Sequence, residues 1–352
     1  MTENNSKVEL MNFNAFLPNP ITTPEIIDRK WGGKGFIYWG ENNTLPQFLW
    51  DNYLKCSDLQ TLINRTVDYV KGDSIDVVKQ ETILTNEDSF QDLVDKIIFD
   101  YVLFGGFALE GIRNANGEIV RLNYINVMNV RVDEDLTTAY ICVKNSGRYA
   151  KYDVTLPLFK RDEKQPHFIF YYRGAITRNI NPVPIWFSAL KSVQVLNETR
   201  EYNLRNIQNN FSANVIVALN GTSIKQRELQ EIKDKMELGY TGSENAGKTL
   251  FINNANSEGK VEITRLDADK ASDLYKNVQE SSQKDMQMAF AMNPILIGVN
   301  VQTGFSKQEF SQAYALFMST VAQPLRNNII KQFNKLGVGL VFNDFKINWS
   351  EE

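Results

Sequence analysis

Histidine and cysteine are almost absent from this sequence, which removes several kinds of catalytic and metal site from consideration. His167 is the only histidine among the 352 residues, and the two cysteines, Cys56 and Cys142, lie far apart. Because His167 opens an apolar stretch, we interpret it as a structural histidine rather than part of a catalytic triad or a multi-histidine metal site. The cysteines lack the spacing of metal ligands. No metal and no cofactor are expected.

Long hydrophobic runs and an excess of positive charge are also missing. The richest apolar stretches, such as Phe168–Tyr172, have the length of strands and not the roughly 18 residues of a membrane-spanning helix. Lys and Arg number 38 against 42 Asp and Glu, a formal net charge of −4. This balance argues against tight or sequence-specific binding of nucleic acid, which depends on clustered basic residues. The first ten residues, MTENNSKVEL, lack a signal-peptide pattern, so we expect cytoplasmic synthesis and reduced thiols.

Two helices are predicted in the first third of the chain. Prolines punctuate residues 1–55, where no regular element is predicted. The first helix begins at Ser57, which forms a capping box with Gln60, and it ends at Gly72. The second helix runs from Ser89 to Phe104 and stops at a Gly-Gly pair.

Strand patterns follow these helices and predict an α+β body. Phe107–Arg113 and Ile119–Tyr124 are strand-length segments on either side of a turn at Asn114–Gly117, which is typical of a β-hairpin. Further strands are predicted at Val127–Val132, Thr138–Val143 and His167–Tyr172.

From Ile185 onward the pattern changes to long helices that flank a small insert. One helix is predicted over Ile185–Asn210 and another over Asp267–Met292, the latter with a thin apolar line that includes Met288. The insert reads as a β-α-β-β unit. Its elements are Ala213–Leu219, a helix capped by Ser223, Thr249–Ile252 and Val261–Leu266.

A glycine-flanked loop and a last long helix complete the chain. The loop covers Ile295–Phe305, and the helix begins with a Ser306–Glu309 capping box. Pro324 is expected to kink this helix, because proline lacks the backbone N–H and clashes with the preceding turn. A terminal strand is predicted over Leu340–Trp349.

The segment GSENAGKT, Gly242–Thr249, satisfies the phosphate-binding P-loop pattern G-x-x-x-x-G-K-[ST]. A working P-loop lies between a strand and a helix, whose N-terminus then points at the phosphates. Here the order is reversed, because a helix precedes the segment and a strand follows it. We therefore interpret it as a helix-to-strand turn with an exposed Lys248, and keep a P-loop nucleotidase as the alternative enzyme hypothesis.

The order of these elements resembles the phage portal, or head-to-tail connector, family. The helix from Pro184 to Asn210 is similar to the first stem helix of that family. AFAMNPILIGV at Ala289–Val299 resembles the segment before its tunnel loop, and SKQEFSQAYALFMSTVAQPL at Ser306–Leu325 resembles the start of its spine helix. GENNTLPQFLWDNYLKCSDL at Gly40–Leu59 looks like an N-terminal stretch of many members. The similarity spans roughly residues 36–345.

This resemblance implies an α+β portal fold with named parts. Because only about a dozen residues follow Gly339, we expect the helical crown of many members to be small or absent. The implied parts are a wing at 1–184, stem helix 1 at 185–211, a clip at 212–266, stem helix 2 at 267–292, a tunnel loop at 293–306, a spine helix at 307–337 and a C-terminal strand at 338–352.

Three groups of site residues follow from the resemblance. In the tunnel loop, Asn300, Gln302 and Thr303 would touch DNA without trapping it, and Lys307 would supply a basic ring. The clip residues expected to meet partners are Lys225, Gln226, Arg227, Lys233, Lys235 and Lys248. The stem residues expected to form ion pairs between subunits are Arg200, Glu201, Arg205, Lys276 and Glu280.

The resemblance also implies a function and a set of partners. We expect a non-enzymatic ring of twelve subunits at one capsid vertex, assembled in the host cytoplasm and located in the virion. Double-stranded DNA would pass through the ring without sequence preference. The other expected partners are the major capsid protein, the terminase large subunit and a neck or adaptor protein. A different capsid-associated structural protein is the remaining alternative.

Overall fold

The computed structural model of the chain describes residues 28–30, 35–40, 42–78, 84–87, 89–144, 151–174, 179–208, 215–220, 250–254, 261–265, 269–298 and 307–345. The chain divides into two compact units. The smaller unit comprises Lys191–Lys284, and the larger comprises Thr23–Leu190 together with Asp285–Glu352. Within the described ranges, no helix has the length and apolar character needed to cross a membrane.

Three helices of the larger unit pack against one another: α1 (Leu45–Lys55), α2 (Ser57–Lys71) and α3 (Phe90–Phe104). Helices α2 and α3 confirm the two predicted helices. Helix α1 was not predicted, although Pro46 lies in its first turn, where the missing N–H of proline costs nothing.

The helix ends confirm the predicted stop of the second helix at the Gly-Gly pair and contradict the predicted capping box of the first helix. The Ser89 hydroxyl accepts a 3.1 Å hydrogen bond from the Asp92 backbone N–H at the start of α3, and Gly105 ends this helix with a left-handed φ of 85°. The Ser57–Gln60 capping box is wrong. Cys56 occupies the cap position of α2 without a side-chain cap bond, and Ser57 is already the first helical residue.

A three-stranded antiparallel sheet contains the predicted hairpin. Strands β4 (Phe107–Arg113), β5 (Ile119–Ile125) and β9 (His167–Tyr172) lie in the order β5-β4-β9, so the hairpin and the His167–Tyr172 strand are confirmed. At Gly111 a Cβ would lie 2.1 Å from the Phe168 ring, so only glycine fits opposite that aromatic side chain.

A second antiparallel sheet contains β6 (Val130–Val132), β7 (Thr138–Lys144) and β8 (Lys151–Pro157) in chain order. The predicted Thr138–Val143 strand is confirmed as β7, whereas β8 was not predicted. The predicted strand over Val127–Val132 is half wrong. Its first three residues form a 3₁₀ turn, in which the Asn126 side chain accepts a hydrogen bond from the Met128 N–H, 2.9 Å away.

Both long helices that flank the insert are confirmed, as α4 (Leu190–Gln208) and α5 (Asp269–Ala289), but a 3₁₀ turn over Ile185–Ala189 precedes α4. The apolar line predicted on α5 is partly wrong. Met288 is 77% exposed, whereas Met286 and Phe290 are buried. This helix has so few apolar residues that the sequence pattern did not distinguish its buried side from its exposed side.

The insert contributes three strands: β10 (Val215–Asn220), β11 (Leu250–Asn254) and β12 (Val261–Arg265). They form one sheet in the order β11-β10-β12, with β10 parallel to β11 and antiparallel to β12. The three predicted strands are confirmed. The helix predicted from Ser223 lies outside the described residues.

The last long helix is interrupted just before Pro324, as its sequence predicted. It consists of α6 (Lys307–Phe317), a π turn (Met318–Ala322) and α7 (Gln323–Lys335). Proline cannot donate to the carbonyl four residues earlier, here that of Thr320, so the regular helical bonding cannot continue through this point. The widened π turn absorbs this break. Ser306, predicted as the cap, lies outside the described residues.

Short two-stranded sheets complete the larger unit. Strands β1 (Asp28–Lys30) and β2 (Ile37–Trp39) pair with each other, and β3 (Ser74–Val78) pairs with β13 (Gly339–Asn343), both antiparallel. The predicted terminal strand is therefore confirmed as far as Asn343, but it ends there and does not include Asp344 and Phe345. Residues 346–349 lie outside the described part. The β3–β13 pair joins segments from opposite ends of the chain.

Arg326 binds three elements together beside that pair. It is 2% exposed, and its guanidinium donates to the carbonyls of Val70 (2.7 Å) and Tyr69 (3.0 Å) at the end of α2 and to the Asp344 carboxylate beyond β13. Gly72 permits this approach, because a Cβ there would lie 2.2 Å from the Asn343 carbonyl oxygen and its φ is 71°.

Candidate functional site

The structure describes one of the three predicted groups of site residues in full. Arg200, Glu201, Arg205, Lys276 and Glu280 of the stem group all lie in the smaller unit, on α4 and α5. Of the tunnel-loop group, only Lys307 is described, and it is exposed at the first position of α6. The six clip residues, together with Asn300, Gln302 and Thr303, lie outside the described residues.

The stem group forms at least one ion pair within the chain itself. The Arg205 Nε donates to the Glu201 carboxylate one helical turn earlier, at 2.9 Å, and both side chains are more than one-third exposed. A solvated pair of this kind contributes about 0–1 kcal/mol. On α5, Lys276 and Glu280 are exposed and one helical turn apart. Whether these charges pair between subunits stays a prediction.

An aromatic pair joins α4 and α5 inside the smaller unit, and the sequence patterns did not predict it. The ring centroids of Tyr202 and Tyr275 lie 4.6 Å apart with an interplanar angle of 33°. Burial, together with the hydrogen bond to Tyr202, raises the pKa of Tyr275 to about 12, so it stays a neutral phenol at all ordinary pH values. Aromatic residues among mostly polar neighbours on both helices were the available signal.

A second aromatic pair lies in the larger unit, where the chain enters α4 and leaves α5. Trp186 and Phe290 stack with centroids 6.4 Å apart and an interplanar angle of 10°, and both are buried. The Trp186 indole N–H donates to the Val102 carbonyl near the end of α3, at 3.1 Å. These contacts fix the two segments against the core of the larger unit.

Tyr69 contacts the described first residues of the predicted tunnel loop and the helix that follows this loop. Its hydroxyl donates to the Leu296 carbonyl at 2.9 Å, in the 3₁₀ turn over Pro294–Ile297. Its ring contacts Tyr314 and Phe317 of α6, with centroids 5.8 and 5.4 Å away. Burial raises the pKa of Tyr69, so the phenol remains protonated and can keep this hydrogen bond.

The single histidine takes part in a polar cluster on the β5-β4-β9 sheet. His167 Nε2 lies 2.6 Å from one carboxylate oxygen of Glu110, and the Asn123 amide donates to the other at 2.8 Å. Each polar group therefore meets a partner on a neighbouring strand, in agreement with the structural interpretation of His167.

The environment of the P-loop-like segment does not favour nucleotide binding. Residues 242–249 lie outside the described part, but the next residue, Leu250, begins strand β11. A P-loop requires a helix at that position, because the helix N-terminus supplies the amides and the positive dipole for the phosphates. The element that follows this segment is thus the wrong one for phosphate binding.

Solved structures with a similar fold come from phage-like necks and portals. One match is a chain in the neck of a native gene transfer agent particle, computed with C12 symmetry. The two chains share 13% sequence identity with a TM-score of 0.54, and the alignment covers 85% of this chain and 84% of that one. The virion of a native gene transfer agent shares 13% identity at a TM-score of 0.55, with 87% and 85% covered.

A crystal structure of a HK97 family phage portal protein from Corynebacterium diphtheriae also matches, with 13% identity, a TM-score of 0.52, and 83% of this chain and 95% of that chain covered. At this identity the likeness concerns the fold alone. The fold is therefore of the class found in portal and neck subunits. No curated protein sequence matches the chain.

The family itself is shown by the sequence. A family model described as phage portal protein matches residues 84–351, which is well over half of the chain. The chain belongs to the phage portal protein family, as its resemblance predicted. This family is structural and not catalytic.

Proposed function

We propose that the chain is a portal subunit that closes into a ring of twelve copies at one vertex of a capsid. The match of residues 84–351 to the phage portal family carries this proposal. The C12 symmetry used for the neck of the gene transfer agent particle supports the ring and its number. A cyclic ring uses two different surfaces of each subunit, one for each neighbour.

In this function the ring is a passage for double-stranded DNA during packaging and ejection. The formal net charge of −4 suits a passage, because a strongly basic bore would hold the phosphates in place. The uncharged Asn300, Gln302 and Thr303 would contact the backbone weakly. The subunit needs no catalytic residue of its own, since a terminase would hydrolyse ATP.

We further propose that the smaller unit, Lys191–Lys284, carries the stem and the clip. Its clip residues would meet the terminase first and a neck or adaptor protein later, and the larger unit would contact the major capsid protein. These assignments follow the family resemblance. With these assignments the subunit would lie at the portal vertex of the virion.

Negative-stain electron microscopy of the purified chain, with its native mass, tests the ring. We expect particles with a central hole and a mass of twelve chains. A compact dimer or tetramer without a hole would contradict the proposal. If the chain stays monomeric, the same measurement is repeated with capsid protein present. Failure to form a ring under that condition also contradicts the proposed portal function.

A further inference from the structure

One face of the last long helix is exposed and carries no charge over its whole middle section. Between Ser311 and Asn327 the pattern is regular: four adjacent exposed pairs and then Asn327 recur every four residues, so each lies next to the one before it in a continuous band that winds slowly along the helix. None of them is charged, and Arg326, the single charged residue in this range, is buried. We call this face, roughly 24 Å long, the uncharged stripe.

The opposite side of the same helix already packs into the larger unit. Phe317 and Leu325 are buried on it, followed by Ile329 and Phe333 one and two turns later. Phe333 also contacts Phe90 of α3, with ring centroids 6.1 Å apart. The uncharged stripe is therefore not a core face of this unit, because the core is formed by the other side of the helix.

The polar groups of the uncharged stripe are largely satisfied by the helix itself. The hydroxyls of Ser319 and Thr320, in the π turn, both donate to the Leu316 carbonyl, at 3.0 and 2.7 Å. The Ser311 hydroxyl donates to the Lys307 carbonyl at 2.9 Å, and the Gln323 amide donates to the Asn327 side chain at 3.1 Å. Covering such groups costs little, since their hydrogen bonds survive the loss of water.

Leu316 lies in the middle of the uncharged stripe and is 65% exposed. A large exposed leucine among uncharged neighbours shares one property with the centre of a protein–protein interface, which is the depletion of charged residues. A nucleic-acid surface would instead need lysine or arginine to meet the phosphates. The chemistry of the stripe therefore fits another protein surface and not DNA.

The dimensions of the stripe indicate what kind of protein contact it makes. A face roughly 24 Å long and roughly 10 Å wide offers about 240 Å², whereas a stable interface buries about 800 Å² on each partner. The stripe is too small to hold an isolated dimer. It suits the central part of a larger contact that is closed by other surfaces at the same time, as in a ring.

We propose that the uncharged stripe packs against a neighbouring copy of this chain, as one of the two different faces by which subunits join in the ring. This inference rests on the proposed portal function, since the ring supplies the neighbour. Leu316 is the central contact. The hydroxyls of the π turn before Pro324 are bonded within the helix, so burying this face has a small desolvation penalty.

The substitution Leu316→Arg tests this contact, because it would place a charge at the centre of the interface. We expect the concentration at which half of the chains are in rings to rise at least tenfold, measured by sedimentation and native mass. Leu54→Arg is the matched control, because Leu54 is a 56% exposed leucine on helix α1, outside the stripe. It should assemble like the wild type, and both variants should keep the wild-type circular dichroism spectrum.

A photo-crosslinking amino acid gives a second measurement that does not depend on weakening the ring. Placed at position 316, it should yield covalently joined chains on irradiation of assembled rings, whereas at position 54 it should yield none. This measurement also decides the matter if Leu316→Arg fails to fold.

The outcomes separate this inference from the proposed function. Rings that form equally well with Leu316→Arg, or a crosslinker at position 316 that joins no chains, would overturn the inference while leaving the ring intact. Crosslinks from position 316 to DNA in filled particles, without joined chains, would overturn it in favour of a channel face. A wild type that forms no ring even with capsid protein present contradicts both.

Discussion

At the scale of single residues, Asp100 shows how burial changes the chemistry of one side chain. Asp100 is enclosed in α3 and accepts hydrogen bonds from the Tyr124 hydroxyl (3.0 Å) and the Val127 N–H (3.2 Å). Loss of water raises its pKa from 3.8 to about 7, although the two hydrogen bonds act in the opposite direction. Its protonation thus changes near neutral pH, far from the range of an exposed aspartate.

This shift predicts a pH dependence of stability. The folded chain holds the Asp100 proton up to about pH 7, whereas the unfolded chain releases it near 3.8, so the contribution of Asp100 to the free energy of unfolding falls as pH rises between these values. Asp100→Asn keeps an acceptor for both donors and removes the titration. We expect its stability relative to wild type to increase from pH 4 to pH 7, by on the order of a few kcal/mol, in urea unfolding.

Asp162→Asn is the control for this measurement, because Asp162 is exposed and the substitution changes the same charge. Its stability difference from wild type should not vary over the same pH range. An Asp100→Asn curve that runs parallel to the wild-type curve would show that the carboxyl is ionised in the folded chain throughout.

At the scale of elements, Arg326 connects helices α2 and α7 with the end of β13. A cation that donates to the last carbonyls of α2 also meets the negative end of that helix dipole. Its guanidinium further lies 5.5 Å from the centroid of the Phe342 ring. Since these partners come from two other elements, α2 and the end of β13, Arg326 stabilises the arrangement of three elements and not a single helix.

We expect Arg326→Ala to lower the free energy of unfolding by about 3–5 kcal/mol, because the buried carbonyls of Tyr69 and Val70 lose their charged donor. Lys331→Ala, on the exposed side of the same helix, should change it by less than about 0.5 kcal/mol. Urea unfolding of the two variants checks this difference. Equal effects would mean that Arg326 contributes only as a generic helix residue.

At the scale of the whole molecule, the larger unit is closed by segments from opposite ends of the chain. Strand β3 finds its partner β13 some 260 residues later, with Ile75 opposite Phe342 in the register. Such non-local pairing requires the closure of a long intervening segment and depends on both strands being present. The larger unit should therefore not fold stably without its C-terminal strand.

A pair of truncations tests this closure. A chain ending at Gly337 lacks β13 and the carboxylate that binds Arg326, and we expect it to lose the cooperative thermal unfolding of the full chain. A chain ending at Phe345 keeps every described contact and should unfold at nearly the wild-type temperature. Cooperative unfolding of the shorter chain, at the temperature of the full chain, would show that β13 is dispensable for the core.

Sequence patterns predicted the family and most of the long elements, but they missed helix α1 and strand β8 and took the 3₁₀ turn at Val127–Asn129 for a strand. Long helices, the hairpin and the Pro324 interruption follow from periodicity and from the missing N–H of proline, which act locally. Local patterns failed where a distant contact decided the outcome. Met288 and Met286 are equally apolar on α5, yet only packing against other segments buries one and exposes the other.

Contacts between distant residues are seen only in the folded chain. No spacing in the sequence indicates that Arg326 reaches the end of α2, that Tyr69 contacts both the start of the predicted tunnel loop and helix α6, or that Tyr202 and Tyr275 pair. The uncharged stripe is defined by which side of the last helix is exposed, and exposure depends on the packing of the helix. The physical reason is that helical and strand periodicity report on neighbours along the chain, whereas contacts and exposure depend on segments hundreds of residues apart.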